Sequence, residues 1–219
     1  AEAEVDDRRV NLTRFPMRFQ EKRAFFLEGS GVYSFANRSG VTPFFSRRIG
    51  LSEGSQIPIT YGGRLTGQVG DYEIGMINAR TESLGDIPAE DFNVARIKRS
   101  LFRESYLGLV YTGRSADADS VYRDQDLLGI DLDLSTSRFK GDQNLEFQAF
   151  FVGHSSPKEN PDATMSDLST RGIRLNYPND LWQAHVSYRE FGQEFDPTVG
   201  FNTRNGFKRV EPSVSYRPR

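Results

Sequence analysis

The sequence predicts an all-β fold: an antiparallel up-and-down β-barrel of about ten strands, of the outer-membrane type, with a short helix or irregular segment at its N-terminal end. Three observations support this prediction. From about residue 57 onward, apolar and polar residues alternate with the period of two that strands show. Short turns and long polar loops then alternate along the chain, as they do in transmembrane barrels. The strands are about 9–11 residues long, enough to cross a bilayer when tilted.

The chain divides into two predicted parts. Residues 1–56 form a plug-like or packing segment, and residues 57–219 form an antiparallel β-meander or barrel. In the first part, Pro16, a charged and aromatic run, and Gly29 predict a short helix from about residue 17 to residue 28. One strand in the remainder of this part would bring the total to ten, an even number as in bacterial barrels.

The second part contains nine predicted strands. The turn Gly70-Asp71 joins residues 57–69 to residues 72–80 in a hairpin. Further strands are predicted near residues 92–102, 106–114, 127–138, 144–154, 168–177, 181–191 and 207–217. The strand at 92–102 fits the alternation least well, because Arg96, Lys98 and Arg99 are spread over both of its faces.

One face of these strands is apolar, and we expect it to meet lipid or a partner protein. The residues assigned to this face are Ile59, Tyr61, Leu65, Tyr72, Ile74, Phe147, Phe151, Trp182, Val186 and Tyr216. Aromatic residues beside the short turns, among them Tyr72, Trp182 and Tyr216, predict one ring of an aromatic girdle. A soluble β-sandwich or barrel alternates in the same way, so the pattern leaves both architectures open.

Charged residues of the first part and of the opposite strand face predict an ion-pair network in the lumen or plug, because an unpaired buried charge is costly. Its expected members are Glu21, Arg23, Glu28, Arg47, Arg48, Arg64 and Glu73. Such a network would serve a plug or gate, or it would simply fill and rigidify the structure.

The sequence contains no recognisable catalytic, cofactor or metal motif, so we expect neither an enzyme nor a cofactor. The balance of 28 basic and 30 acidic residues argues against a nucleic-acid partner. An acidic run near residues 115–126 lacks the Gly and Glu of an EF-hand, which favours a solvated loop over a calcium site. A glycan partner is left open, although no residue pattern supports one.

Several stretches resemble a known family. "VNLTRFPMRFQEKRAFFLEGSGVYSF", "PFFSRRIGL" and "IPITYGGRLTGQVGDYEIGMINART" resemble the start of an uncharacterised outer-membrane β-barrel domain that usually follows a family-9-like carbohydrate-binding module. "FDPTVGFNTRNGFKRVEPSVSYRPR" resembles a segment nearer the middle of such barrels. The resemblance spans most of the chain and is most specific between residues 10 and 80. It implies the outer membrane of a Gram-negative-type bacterium and no known activity. Because the module and a terminal aromatic residue are missing, we expect a fragment or a shortened relative.

Three functional hypotheses follow. The first is a non-enzymatic outer-membrane barrel with a structural, transport or surface-interaction role and membrane lipid as its partner. The second is a soluble or peripheral, periplasmic β-rich accessory subunit of a larger membrane-associated protein complex. The third, a carbohydrate-active enzyme, would need a pair of acids across a cleft, and no sequence feature locates one.

Overall fold

A computed structural model of the chain describes residues 12, 16–52, 55–117, 124–155, 160 and 162–218. The fold is all-β, as predicted, and its main element is one antiparallel sheet of nine strands. These are β4 (Ile59–Val69), β5 (Tyr72–Thr81), β6 (Glu90–Leu101), β7 (Ser105–Ala116), β8 (Gln125–Phe139), β9 (Gln143–His154), β10 (Ser169–Pro178), β11 (Trp182–Phe191) and β13 (Phe207–Tyr216). Four two-residue strands complete the numbering: β1 (Val41–Thr42), β2 (Leu51–Ser52), β3 (Ser55–Gln56) and β12 (Phe201–Asn202).

Each strand of the large sheet pairs with its neighbours in the chain, in the order β4 to β11 and then β13. All nine strands predicted from residue 57 onward are therefore present. Within the described residues, β4 and β13 each pair with a single strand, and no ladder joins them into a closed barrel. The predicted tenth strand is not part of this sheet either, because β1 pairs with β12, and β2 pairs with β3.

The two ends of the sheet differ in their connections. Two- or three-residue turns lie at 70–71, 102–104, 140–142 and 179–181, and we call this the short-turn end. Longer connections lie at 82–89, 117–124, 155–168 and 192–206, and we call this the long-loop end. Gly70 and Gly141 supply the positive φ angles, 58° and 109°, that two of the tight turns need. The alternation of short and long connections matches the prediction.

The core lies between one face of the sheet and the N-terminal segment, residues 16–56. We call this the inner face and the opposite one the outer face. One buried cluster joins Phe26, Val32, Tyr33, Phe44 and Ile49 to inward residues of β5 and β6. A second joins Phe35, Ala36 and Val41 to inward residues of β7 to β9 and to Phe195. The connection at 192–206 thus contributes to the core as well.

The N-terminal segment contains less helix than predicted. The α-helix α1 covers only Ala24–Leu27, and two 3₁₀ turns follow at Ser30–Tyr33 and Ser46–Arg48. The Glu21 carboxylate accepts the backbone N–H groups of Lys22 and Arg23, at 3.0 and 2.9 Å. This local bonding competes with a helical ladder and holds the chain before Ala24 in a non-helical conformation.

One residue assigned to the apolar strand face lies on the other side. Ile59 packs partly buried against the first core cluster, so its assignment to the lipid- or partner-facing surface was wrong. The cause is a bulge between Ile59 and Tyr61, which pair with Thr81 and Arg80 respectively. A bulge inserts one extra residue and shifts the alternation, so Ile59 points inward while Tyr61 points outward.

Candidate functional site

The outer face is the most unusual surface of the molecule, because it is apolar and exposed across all nine strands. Of the residues assigned to it, Tyr61, Leu65, Tyr72, Phe151, Trp182, Val186 and Tyr216 are exposed. Ile74 and Phe147 lie on the same face and are half-buried by their neighbours. Further exposed apolar residues extend the surface: Leu107, Leu109, Leu128, Ile130, Ile173, Leu175, Val210 and Val214. Val214 alone exposes 70% of its surface.

The two ends of the outer face carry different side chains. At the short-turn end, the rings of Trp182 and Tyr216 lie 4.6 Å apart, and the Arg99 guanidinium lies 5.6 Å from the Tyr72 ring. At the long-loop end the outer face carries ion pairs. There, Arg80 pairs with Asp91 and Asp117, while Glu190 pairs with Arg171 at 3.0 Å and Lys208 at 3.2 Å. The apolar surface is thus bounded by aromatic rings on one side and ion pairs on the other.

The inner face carries both the apolar core clusters and charged side chains, and its centre is a buried ion pair. The Arg96 guanidinium donates to both carboxylate oxygens of Asp131, at 2.6 and 2.9 Å, and both side chains are fully buried. Asp131 also accepts the Tyr106 hydroxyl at 3.1 Å and the Ala36 backbone N–H at 3.0 Å. Arg96 donates further to the Ser34 carbonyl at 2.9 Å. Through these bonds to Ala36 and Ser34, the pair anchors the N-terminal segment to the inner face of the sheet.

Gly108 makes room for this pair. A Cβ atom at residue 108 would lie 2.5 Å from atoms of both Arg96 and Asp131, closer than any side chain tolerates. Sequence reasoning missed the pair, although it noted that the charges of strand 92–102 fitted poorly. The signal was present, since Arg96 and Asp131 both occupy inward positions on strands separated only by β7. A charge at a buried inward position is costly unless a group of opposite charge lies nearby, so each such charge predicts a partner on a nearby strand.

Within the part of the chain that the structure describes, the seven residues expected to form one ion-pair network make several local contacts. Glu28 and Arg64 make one pair at 2.5 Å, and Glu73 pairs with Lys98 at 3.6 Å. Two arginines donate to backbone carbonyls: Arg47 to Gln20 and Arg48 to Gly200, both at 3.1 Å. These contacts are local pairs, and a single network that joins all seven residues remains a prediction.

Glu21 and Arg23 form the most buried of these clusters. Their side chains pair at 2.8 Å, and Ser46 donates its hydroxyl to Glu21 at 2.6 Å. Arg23 also donates to the carbonyls of Ile49 and Ser46, at 2.7 and 2.9 Å. Burial acts to raise the pKa of Glu21, but the hydrogen bonds from Arg23 and Ser46 outweigh it and lower that pKa to about 2. The carboxylate therefore stays ionised and ties two parts of the N-terminal segment together.

Other candidate chemistry is sparse in the described part of the chain. No helix there is long and apolar enough to span a bilayer. No group of three or more His, Asp or Glu residues within the described ranges is placed to hold a metal ion. Of the acidic run near residues 115–126, residues 118–123 lie outside the described residues, while Asp117 pairs with Arg80 and Asp126 accepts the Tyr111 hydroxyl.

A family model described as "Domain of unknown function (DUF5916)" matches residues 1–79, which include the N-terminal segment, β4 and β5 up to residue 79. No curated protein and no solved structure matches the chain. The matched stretch nearly coincides with the region between residues 10 and 80 where the family resemblance is most specific, and the chain is similar to that uncharacterised domain there.

Proposed function

We propose that this chain forms part of the wall of a β-barrel in the outer membrane of a Gram-negative-type bacterium. Its role is non-enzymatic: structural, transport or surface interaction. The observation that carries the proposal is the reversed polarity of the sheet. Apolar side chains such as Leu128 and Val214 are exposed on the outer face, while the charges of Arg96 and Asp131 are buried on the inner face.

The size of the apolar surface supports a lipid environment. Monomeric soluble proteins rarely expose a contiguous apolar patch larger than a few hundred Å². Here the patch runs across nine adjacent strands. Lipid tails would cover it without the penalty that water imposes on exposed apolar groups.

The height and borders of the surface support the same environment. Along β11 the outward side chains from Trp182 to Tyr188 span six residue steps, roughly 20 Å at about 3.4 Å per residue. Outer-membrane barrels carry an apolar band of about 25 Å with aromatic residues at its borders. The ring pair of Trp182 and Tyr216 and the ion pairs of Arg80 and Glu190 lie where such borders would meet lipid headgroups.

The two sheet edges favour a second candidate function, a β-rich accessory subunit of a larger membrane-associated complex. Edge strands present unpaired N–H and C=O groups that can pair with another strand. In hydrocarbon no water satisfies these groups, so a membrane-embedded sheet must be closed. Both candidates therefore require pairing partners for β4 and β13, and they differ in whether those partners lie within one barrel or in partner subunits.

Heat-modifiability tests the proposal. The chain is expressed with a signal sequence, extracted from outer membranes in detergent, and run on a gel with and without boiling. We expect a detergent-dependent compact band that shifts on boiling. A band that migrates with the mass of a larger assembly before boiling would favour the accessory-subunit function. Protein that stays soluble without detergent and shows no shift would contradict both membrane functions.

A further inference from the structure

A polar cavity of about 410 Å³ lies on the inner face of β8, β9 and β10. The strand register arranges its wall in two rows, Asp133–Gln148–Arg174 and Ser135–Glu146–Asn176. The volume falls within the range of about 300–1,000 Å³ that small-molecule sites occupy. The wall contains no aromatic ring, so the cavity offers hydrogen bonds and charge rather than a stacking surface.

A constrained loop covers the cavity. Asn37 and Arg38 line its remaining side. The backbone of Ala36 and Arg38 takes positive φ angles of 32° and 66°, which residues with a side chain rarely adopt. The Ala36 N–H is held by the buried Asp131 carboxylate, which fixes the loop on the wall. Strained backbone of this kind persists only where its surroundings hold it, and it is frequent at ligand sites.

The two arginines of the cavity have unused donors. Within the described residues, neither the Arg38 nor the Arg174 guanidinium takes part in a hydrogen bond or an ion pair. The Nε atom of Arg174 is buried without a partner, and so is the hydroxyl of Ser187, which lies opposite Arg174 in the β10–β11 register. The Arg38 charge also repels that of Arg174. An oxyanion between the two guanidinium groups would satisfy their donors and remove the repulsion.

The acids of the cavity already have partners. Asp133 accepts the Ser135 hydroxyl at 2.7 Å and the Gln148 amide at 3.2 Å, and Glu146 accepts the Asn176 amide at 2.7 Å. Their remaining lone pairs can still accept hydroxyl or amino hydrogens from a ligand. With two cations and two carboxylates, the lining is neutral in sum. The carboxylates of Asp133 and Glu146 would repel a doubly charged anion. A single carboxylate meets less repulsion and can pair with the two arginines.

We infer that this cavity binds a small monocarboxylate that carries hydroxyl or amino groups. Arg38 and Arg174 hold the carboxylate, and Glu146, Gln148 and Asn176 hydrogen-bond the remainder of the solute. The cavity lies on the inner side of the wall, so this inference stands independently of what covers the outer face.

Isothermal titration calorimetry on the full chain, refolded in detergent micelles, tests the inference with three probes. Gluconate offers a carboxylate and hydroxyl groups, sorbitol offers the hydroxyl groups alone, and inorganic phosphate offers a competing oxyanion. We expect saturable binding of gluconate, at least tenfold weaker binding of sorbitol, and weaker binding of phosphate. Sorbitol binding as tight as gluconate would overturn the carboxylate assignment, and tighter phosphate binding would overturn the choice of a monocarboxylate.

Two arginine variants locate the site. Arg38→Gln and Arg174→Gln should each weaken gluconate binding tenfold or more. Arg103→Gln, in a short turn outside the cavity, removes the same charge and should leave binding unchanged. Arg38 is exposed and unpaired, so its variant should fold normally even where Arg174→Gln does not. Folded protein that shows no gluconate binding, or binding that Arg38→Gln leaves intact, would contradict the inference.

Discussion

The inner and outer faces of the sheet are built from alternate residues of the same nine strands, yet neighbouring residues on the two faces differ sharply in polarity and burial. On β8, Asp131 points inward and is buried, whereas its neighbour Ile130 points outward and is exposed. On β6, Arg96 points inward and is buried, whereas its neighbour Ile97 points outward and is exposed. At these two places the burial is the reverse of what water favours, because apolar burial drives folding and charge burial opposes it.

This difference separates two kinds of stabilisation. The inner face depends on specific partners, since each buried charge needs an opposite charge or a hydrogen bond at the right distance. The outer face depends on its surroundings, since its exposed apolar side chains gain nothing in water and much in lipid. Substitutions on the inner face should therefore act in any folded state of the protein, and those on the outer face only in a membrane.

The largest effect is expected from breaking the central ion pair. Asp131→Ala leaves Arg96 charged, buried and unpaired, and it also removes the acceptor of the Ala36 N–H. Loss of one partner of a buried pair costs about 3–5 kcal/mol. The free energy of unfolding in urea, measured on protein refolded in detergent, should fall by that amount.

Two variants control this result. Asp86→Ala removes an exposed carboxylate in the 82–89 connection and should change the free energy of unfolding little. The double variant Arg96→Met/Asp131→Leu removes both charges and should be less destabilised than Asp131→Ala alone. If Asp131→Ala were no worse than Asp86→Ala, the inner face would not depend on this pair.

A charge on the outer face should act only in the membrane. Phe147 points outward near the middle of β9, between Leu134 and Leu175 on the adjacent strands. Phe147→Arg should cost about 2–4 kcal/mol of stability in a bilayer, as arginine does near the midplane of a membrane barrel. Folding titrations in lipid vesicles measure this loss.

The matched variant is Ser115→Arg, at the long-loop end of the outer face, where Ser115 pairs with Asp91 in register. Its cost in vesicles should be about 0–1 kcal/mol, as near a bilayer interface. Two results would contradict the assignment of the outer face to lipid. One is an equal loss of stability for Phe147→Arg and Ser115→Arg in vesicles, and the other is a loss for Phe147→Arg that is as large without lipid as with it.

Two glycines, one on each face, allow the same comparison with a smaller expected change in the free energy of unfolding. A Cβ at Gly75, on the inner face, would lie 2.6 Å from Val32 and 3.0 Å from the Tyr33 ring. A Cβ at Gly63, on the outer face, would meet nothing within 4 Å. Gly75→Ala should lower the free energy of unfolding by about 1–3 kcal/mol through overpacking, and Gly63→Ala should leave it unchanged or slightly raised. Similar values for both variants would argue against the docking of the N-terminal segment on β5.

The smallest effect concerns pH and the N-terminal segment. The pKa of Glu21 is lowered from 4.5 to about 2, so its ionised form stabilises the folded segment above 4.5. This contribution is lost as the pH falls from 4.5 to about 2. Limited proteolysis should therefore cut residues 16–50 faster towards the lower end of this range. Glu21→Gln should lack this pH-dependent change, and an identical pH profile for both proteins would exclude Glu21 as its source.

The alternation of apolar and polar residues predicted the strands well, but it did not predict contacts between residues that are far apart in the sequence. Alternation placed Leu65 on the outer face and Arg64 on the opposite face without any knowledge of the partner strands. It failed at Ile59, because a single bulge reverses the alternation and no residue type marks it. The Arg96–Asp131 pair joins residues 35 positions apart, and Phe195 enters the core from a polar connection. The sequence did not predict the two arginines of the cavity either. Arg38 and Arg174 are far apart in the chain, and they line one cavity only because the N-terminal segment packs on the inner face near β10.

The fluorescence of Trp182 tests the central claim most directly, because it is the only tryptophan of the chain and lies on the outer face with 47% of its surface exposed. The protein is refolded into vesicles whose lipids carry quenchers either near the headgroup or deep in the acyl chain. If the outer face meets lipid, lipid-borne quenchers should reduce the emission, and those near the headgroup should act more strongly. Emission that these lipids leave unchanged, and that aqueous iodide quenches fully, would show that the outer face does not lie in the membrane.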